Sequence, residues 1–324
     1  MTGIFEKFNS LTILIIGDVM MDSYVWGEIT RVSPEAPVPV VKVTKKENRL
    51  GGAANVALNI QSLGARPIIC AIVGDDQEGI DLISLMDNAN LTNEGFITVQ
   101  GRQTTVKTRI IAHKQHIVRV DAETDAIIPS NATRLVKERI AEIITQQKID
   151  AIIFEDYDKG MISEELIMFV VEMANQKNII TVVDPKKRNF LFYKDVSLFK
   201  PNLKELREGL KTEVDPKSIT QMENIVSLLR KQLNVKSIML TLSEHGVFIS
   251  NSKGHKLIPA HLRNIADVSG AGDTVIATVA LCLASGLDEF KSAAIANLAG
   301  GLVCEHVGVV PIDKANLLKA SLLL

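Results

Sequence analysis

Short runs of Ile, Val and Leu recur along this chain, and most are followed by a longer segment with helical apolar spacing. Crossover-connected parallel strands with helices on both faces require that alternation. It predicts strands over Leu11–Ile16, Pro67–Val73, Ala151–Phe154, Ile179–Val183, Ser237–Leu242 and Gly246–Ser250. Helices are expected over Ala53–Ser62, Asn131–Gln147, Glu164–Asn175, Ile219–Leu233, Gly272–Ala284 and Glu289–Glu305. Several strands are continuous β-branched runs, as buried parallel strands demand. The last two helices are apolar almost all round, which places them inside. The expected class is α/β with a mostly parallel central sheet in one large domain, 1–324.

Two segments depart from this pattern. Pro37–Thr44 is extended and punctuated by proline, and Thr104–Val120 alternates apolar with polar residues around His113 and His116. Alternation describes a half-exposed sheet, so a small β appendage is expected over about 22–48 and 103–121. It reads either as a lid over a substrate, with apolar residues free to pair with a second copy in a homodimer, or as a surface hairpin without function. The two histidines, three apart on an extended segment, fall on opposite faces and would not share a metal ion.

A chain of 324 residues, 46% hydrophobic and 23% charged, can bury a substantial core. Its formal net charge of -2, with no long basic run, lacks the electrostatic footprint of a nucleic-acid binder. Cys70, Cys282 and Cys304 lie in apolar surroundings without CxxC spacing, and read as core residues of a reducing compartment. No apolar run approaches the ~20 residues of a membrane span. The expectation is a soluble, cytoplasmic protein with a small-molecule partner.

The chemistry gathers near the C-terminus, where Asp267 and then Ser269-Gly-Ala-Gly-Asp273 lead into a long apolar stretch. Gly270, Ala271 and Gly272 would turn backbone N–H groups toward one point at a helix N-terminus, a place for an anion. Asp273, in the first turn, would accept a proton from an attacking hydroxyl. The same residues equally suit a plain turn whose aspartate complements the helix dipole. Neither GxGxxG nor GxxxxGK[ST] occurs, which disfavours a dinucleotide site and a P-loop.

DxxGAGD closely resembles the C-terminal signature of the ribokinase-like (PfkB-type) carbohydrate kinases, and other features of that family follow in order over nearly the whole chain. Gly17-Asp18-Val-Met-Met-Asp22 resembles its first strand and sugar-contacting aspartate, and Gly51-Gly52-Ala-Ala-Asn55 its N-terminal glycine-rich signature. Asn202-Leu-Lys-Glu205 matches NxxE, and Thr241 to Gly246 resembles the strand and turn that carry the nucleotide, with Ser243 where glycine is common. The resemblance implies a three-layer α/β/α fold with a β-sheet lid and transfer of phosphate from ATP with magnesium. Asp273 would be the base, Gly270 to Gly272 the anion cradle, and Asp22, Gly51, Gly52 and Asn55 the sugar contacts. Asn202, Glu205, Thr241, Ser243, Gly246 and Asn297 would border the nucleotide, with Glu205 meeting magnesium through water. Asp267 and Ser269 would support a monovalent cation such as potassium. Asn202 and Glu205 also suit a helix capping box.

Arg31-Val-Ser-Pro-Glu-Ala-Pro-Val-Pro39 resembles a segment of heptose-7-phosphate kinases, as do Thr105 to Arg109 and Val183 to Lys186; Glu155 and Asp158 depart from that group's SDYxKG. This implies D-glycero-D-manno-heptose 7-phosphate as acceptor and the 1,7-bisphosphate as product, for envelope heptose. A phosphate on the acceptor needs cations, and Lys107, Arg109, Lys159 and Lys186 are the candidates. Kinase domains of this kind can be fused to a nucleotidyltransferase, and the expectation here is a kinase acting alone. Two alternatives are the same fold acting on another sugar, sugar phosphate or nucleoside, and a non-catalytic sugar-phosphate sensor.

Overall fold

The computed structural model describes residues 1–113, 115–261 and 265–323. After a short helix α1 (Thr2–Phe8), the chain enters β1 (Thr12–Gly17), then the long pair β2 (Val19–Val32) and β3 (Pro39–Gly52). Then come α2 (Ala53–Ser62), β4 (Arg66–Gly74), α3 (Gln77–Asn88), β5 (Gly95–Val99), and a second pair, β6 (Val106–Ala112) and β7 (Gln115–Ala122). The alternation resumes with α4 (Ser130–Gln146), β8 (Ala151–Glu155), α5 (Glu164–Gln176), β9 (Ile180–Asp184), β10 (Leu198–Phe199), α6 (Leu203–Leu210) and α7 (Ile219–Leu233). Last are β11 (Ser237–Thr241), β12 (Val247–Asn251), β13 (Gly254–Ile258), α8 (Ala271–Ala284), α9 (Glu289–Val303) and α10 (Lys314–Ser321).

Nine strands form the large sheet in the order β13-β12-β11-β10-β9-β8-β1-β4-β5. It is parallel except where β12 reverses between β11 and β13. Successive residues of β1 point to opposite faces. Ile13 and Ile15 enter a core with α2, α8 and α9, while Leu14 and Ile16 enter another with α4, α5 and α7. The result is three layers. The all-round apolar α8 is buried along most of its length, as its composition predicts. Cys70, Cys282 and Cys304 are all buried. Among the described residues no helix is long and apolar enough to cross a membrane.

The appendage is a four-stranded sheet in the order β3-β2-β6-β7, with β2 and β6 parallel and the outer pairs antiparallel. It is larger than the sequence pattern suggests, because β2 runs straight on from the end of β1 and β3 straight into α2. Arg31 to Pro39 forms its hairpin tip, where Ser33 N donates to Val38 O. His113 lies in the β6–β7 turn and His116 on β7; Lys114 lies outside the described residues.

Candidate active site

The ends of β1, β8 and β9 meet the starts of α2, α6 and α8 at one edge of the large sheet, the crevice where open α/β sheets bind ligands. Asp273, buried in the first turn of α8, is held from two sides: Asn55 Nδ2 donates to its Oδ2 at 2.6 Å, and the Tyr157 hydroxyl to its Oδ1 at 3.0 Å. Burial pushes this carboxyl up to about 6; Asn55 and Tyr157 oppose the rise and Asp184 adds to it. The Tyr157 phenol is itself pushed well above its ordinary value by burial and by Asp273, so it remains a donor. Asn55, expected to contact sugar, directs one N–H of its amide to Asp273.

Gly270, in a left-handed conformation, is the N-cap of α8, and among the described residues no side chain caps the helix. The first-turn dipole is therefore open to an anion. The Ala271 amide, expected to face that anion, instead donates to Val268 O at 3.3 Å. A Cβ at Gly272 would stand 3.8 Å from Asp184 Oδ2, which places the carboxylate at the end of β9 beside the same turn.

Behind Asp273 lies a buried set of charges. Asp184 Oδ2 pairs with Lys200 Nζ at 2.7 Å, and the Lys186 ammonium stands 2.5 Å from Glu205 Oε1 and 3.6 Å from Asp184 Oδ1. Despite burial, Lys200 and Lys186 hold Asp184 below the ordinary carboxylate range. Glu155, fully buried at the end of β8, has no hydrogen-bond partner on either oxygen among the described residues, and burial with Asp184 and Asp273 pushes it well up. Asp18, after β1, accepts from the backbone N–H of Tyr157 and Lys159, and burial and Asp156 push it up to about 7.

On the lid side, the Asp22 carboxylate is buried and pairs with Arg109 Nη1 at 2.5 Å. The guanidiniums of Arg49 and Arg109 flank the Tyr24 ring at 4.9 and 5.3 Å, and Tyr24 stacks on Trp26. Gly51 and Gly52 end β3 opposite Met20 and Val19. A Cβ on Gly51 would sit 2.5 Å from Asp22 Oδ2, so only glycine leaves that carboxylate its place. Lys107 and Lys159 converge on Glu123, at 3.0 and 2.8 Å. Lys186, grouped with them in the sequence reading, belongs instead to the Asp184–Glu205 set and lies 5.1 Å from the Tyr157 ring.

Asn202 and Glu205 form a full capping box on α6, each backbone N–H donating to the other's side chain at 2.8 Å. Thr241 lies beside Asn202 through a parallel β-bridge. Ser243 takes a left-handed φ of 51°, the conformation for which glycine is common at that place, and Gly246 has φ 87°. Asn297 donates its amide to Pro259 O at 2.9 Å, so that donor is already engaged. Asp267 accepts from Ser269 N and Gly308 N, both at 2.9 Å, which outweighs burial and holds its carboxyl low.

Tyr157, Asp184, Lys200, Asp18 and Glu123 were not singled out by the sequence reading, and Glu155 only as a departure from a motif. A usable signal existed for most of them, since Asp18, Glu155, Tyr157 and Asp184 lie at or just past the C-terminal ends of predicted strands.

Comparison with known proteins settles the family. The profile described as pfkB family carbohydrate kinase matches residues 11–315. The chain is a pfkB family carbohydrate kinase. As such it is an ATP-dependent carbohydrate kinase of ribokinase-like fold. This kinase is 39% identical, over 99% of its length, to the "Bifunctional protein HldE" of Magnetococcus marinus and covers 65% of that protein. It is 38% identical over 91% of its length to the "Bifunctional protein HldE" of Helicobacter pylori, strain P12, and covers 63% of it. The chain thus spans somewhat less than two thirds of these relatives. Among solved structures, phosphofructokinase-2 from Escherichia coli with substrates and products superposes with a TM-score of 0.78 at 18% identity, covering 97% of this chain and 99% of that one. Ribokinase from Arabidopsis thaliana with ribose and ATP gives 0.72 at 16%, covering 96% and 98%.

Proposed function

We propose that this kinase phosphorylates the anomeric hydroxyl of D-glycero-β-D-manno-heptose 7-phosphate, giving the 1,7-bisphosphate. The observation that carries the kinase chemistry is Asp273, a carboxylate held by Asn55 and Tyr157 at an uncapped helix N-terminus. Support for the sugar comes from the resemblance of Arg31 to Pro39 to heptose-7-phosphate kinases, and from relatives at 38–39% identity named as HldE.

In this reading the acceptor lies between the lid and the edge of the large sheet, with Asp22 on its hydroxyls and Gly51 and Gly52 close beneath it. Lys107 and Lys159 take its phosphate, and Arg109 aligns Asp22. Asp273 accepts the anomeric proton as the oxygen attacks the γ-phosphorus, and ADP leaves. The amides of Gly270 and Gly272 and the α8 dipole offset charge on the transferring group. Asn202, Thr241, Ser243, Gly246 and Asn297 border ATP.

Magnesium, when bound, neutralises charge on the β- and γ-phosphates. The buried Asp184 Oδ1, with the Lys186 ammonium at 3.6 Å and no closer donor among the described residues, suits a water of its shell. Glu205, whose oxygens already accept from Lys186 and Asn202, would join with its remaining acceptor sites. Asp267 and Ser269 would flank a monovalent cation. Exposed Val118 and Val120 on the edge strand β7 would seat a second copy in a lid-to-lid homodimer. Val120→Glu should then lower the molar mass measured by light scattering.

The decisive test is ADP release from a panel of sugars and sugar phosphates. Heptose 7-phosphate should give the highest kcat/KM, and a better unphosphorylated hexose would refute the acceptor assignment. Asp273→Asn should lower kcat by at least about 100-fold; near-normal turnover would refute the base.

A further inference from the structure

We propose that Glu123 is an internal stand-in for the acceptor's phosphate, a carboxylate that occupies the Lys107–Lys159 pair and is displaced only by a group of higher charge. The inference rests on the reading that these two lysines hold that phosphate. Each Glu123 oxygen takes one ammonium, Oε2 from Lys107 at 3.0 Å and Oε1 from Lys159 at 2.8 Å. One anion bridging two cations through separate oxygens is the arrangement a phosphate monoester would adopt. The lysine side chains are only 15% and 14% exposed, a degree of enclosure that lysines rarely reach unless paired.

The two lysines come from different parts of the molecule. Lys107 is on β6 of the lid, Lys159 follows β8 of the core, and Glu123 is the first residue past β7. Arg102 ties Lys159 to the segment that follows Glu123, its guanidinium donating to the carbonyl oxygens of Thr124, Ala126 and Lys159. Lys107 is held at its backbone between β2 and β7 and Lys159 by Arg102, while the Glu123 side chain keeps 27% of its surface open to solvent. Asp121 is the other nearby anion, 3.6 Å from Lys107, but it is engaged by two bonds of 2.8 Å from Arg119 and stays with that partner.

A carboxylate offers one negative charge and two oxygens; a phosphate monoester at neutral pH offers close to two charges and three. Phosphate therefore displaces Glu123, whereas a neutral sugar terminus leaves it in place and is excluded. Glu123 is in this sense a specificity-determining residue.

Glu123→Gln keeps the shape and removes the charge. KM for heptose 7-phosphate should fall several-fold, and inorganic phosphate should become a competitive inhibitor at several-fold lower concentration. An unchanged or raised KM overturns the proposal. If the Gln variant melts early, Glu123→Asp, too short to bridge both ammoniums, provides the same reading: a smaller fall in KM supports the proposal, and no fall overturns it. Lys107→Met and Lys159→Met separate the two claims. They should raise KM for the sugar phosphate at least several-fold; if it is unchanged, the phosphate reading itself fails, whatever Glu123 does.

Discussion

At the scale of single residues, the least expected feature is that Asp273 shares its two oxygens between Asn55 and Tyr157. Tyr157 donates to the ionised form and so opposes the upward push of burial. Besides Tyr157, Asp184 and Lys200 act on Asp273, and Asp184, Asp273, Lys186 and Lys200 act on Glu155 behind it. Tyr157→Phe should move the acid limb of the kcat/KM profile to higher pH by about one unit, since a hydrogen bond to a charged group is worth about 1.5–3 kcal/mol. A uniform loss at all pH values would instead mark Tyr157 as merely structural. Asp273 and its glycines were legible because residue type, spacing and a following apolar helix all agree. Tyr157 was not, because nothing in a lone tyrosine after a strand tells which way its hydroxyl points.

At the scale of elements, the sequence pattern located the buried strands and long helices to within a residue or two. It did so because burial on both faces imposes continuous apolar runs. It passed over α1, α3, α6, α10, β5, β10 and β13, which are short or largely polar and draw their order from neighbours: β10 is two residues long, and α6 depends on its capping box. The lid was half legible, since β7 is an exposed edge strand with almost no periodic burial. The turn after β11 carries a sharper requirement. At Gly246 φ is 87°, and a Cβ would meet Ile258 O at 2.0 Å. Gly246→Ala should destabilise the fold by about 1–3 kcal/mol and weaken ATP binding, measurable as a lower denaturant midpoint and a raised KM for ATP. Unchanged values of both would show that this turn is not rigid.

For the molecule as a whole, the sheet edge that carries Asp18 and Asp273 opposes stability. Asp18 and Asp273 are pushed up by burial to about 7 and about 6, and Glu155 is raised as well. Groups that bind protons more tightly when folded stabilise fully below their ordinary pKa, and that contribution is lost as pH rises through 6 and 7. Asp76, Asp121, Glu123 and Asp267 are held low and work in the opposite sense, losing their contribution as pH falls below about 4. Thermal midpoint should therefore peak near about pH 5, while kcat/KM climbs through pH 6 as Asp273 ionises. A melting scan with its maximum at pH 8 would refute the first part, and Asp273→Asn should raise the midpoint at pH 8 as it abolishes turnover. The lid adds one last consequence. Trp26 is the chain's only tryptophan, and it stands on the lid with Tyr24 stacked on one side and the Lys45 ammonium 4.6 Å from its ring. Ultraviolet emission from the native protein therefore originates in the element expected to move over the acceptor, so that closure and reopening can be followed by stopped-flow fluorescence without attaching a dye.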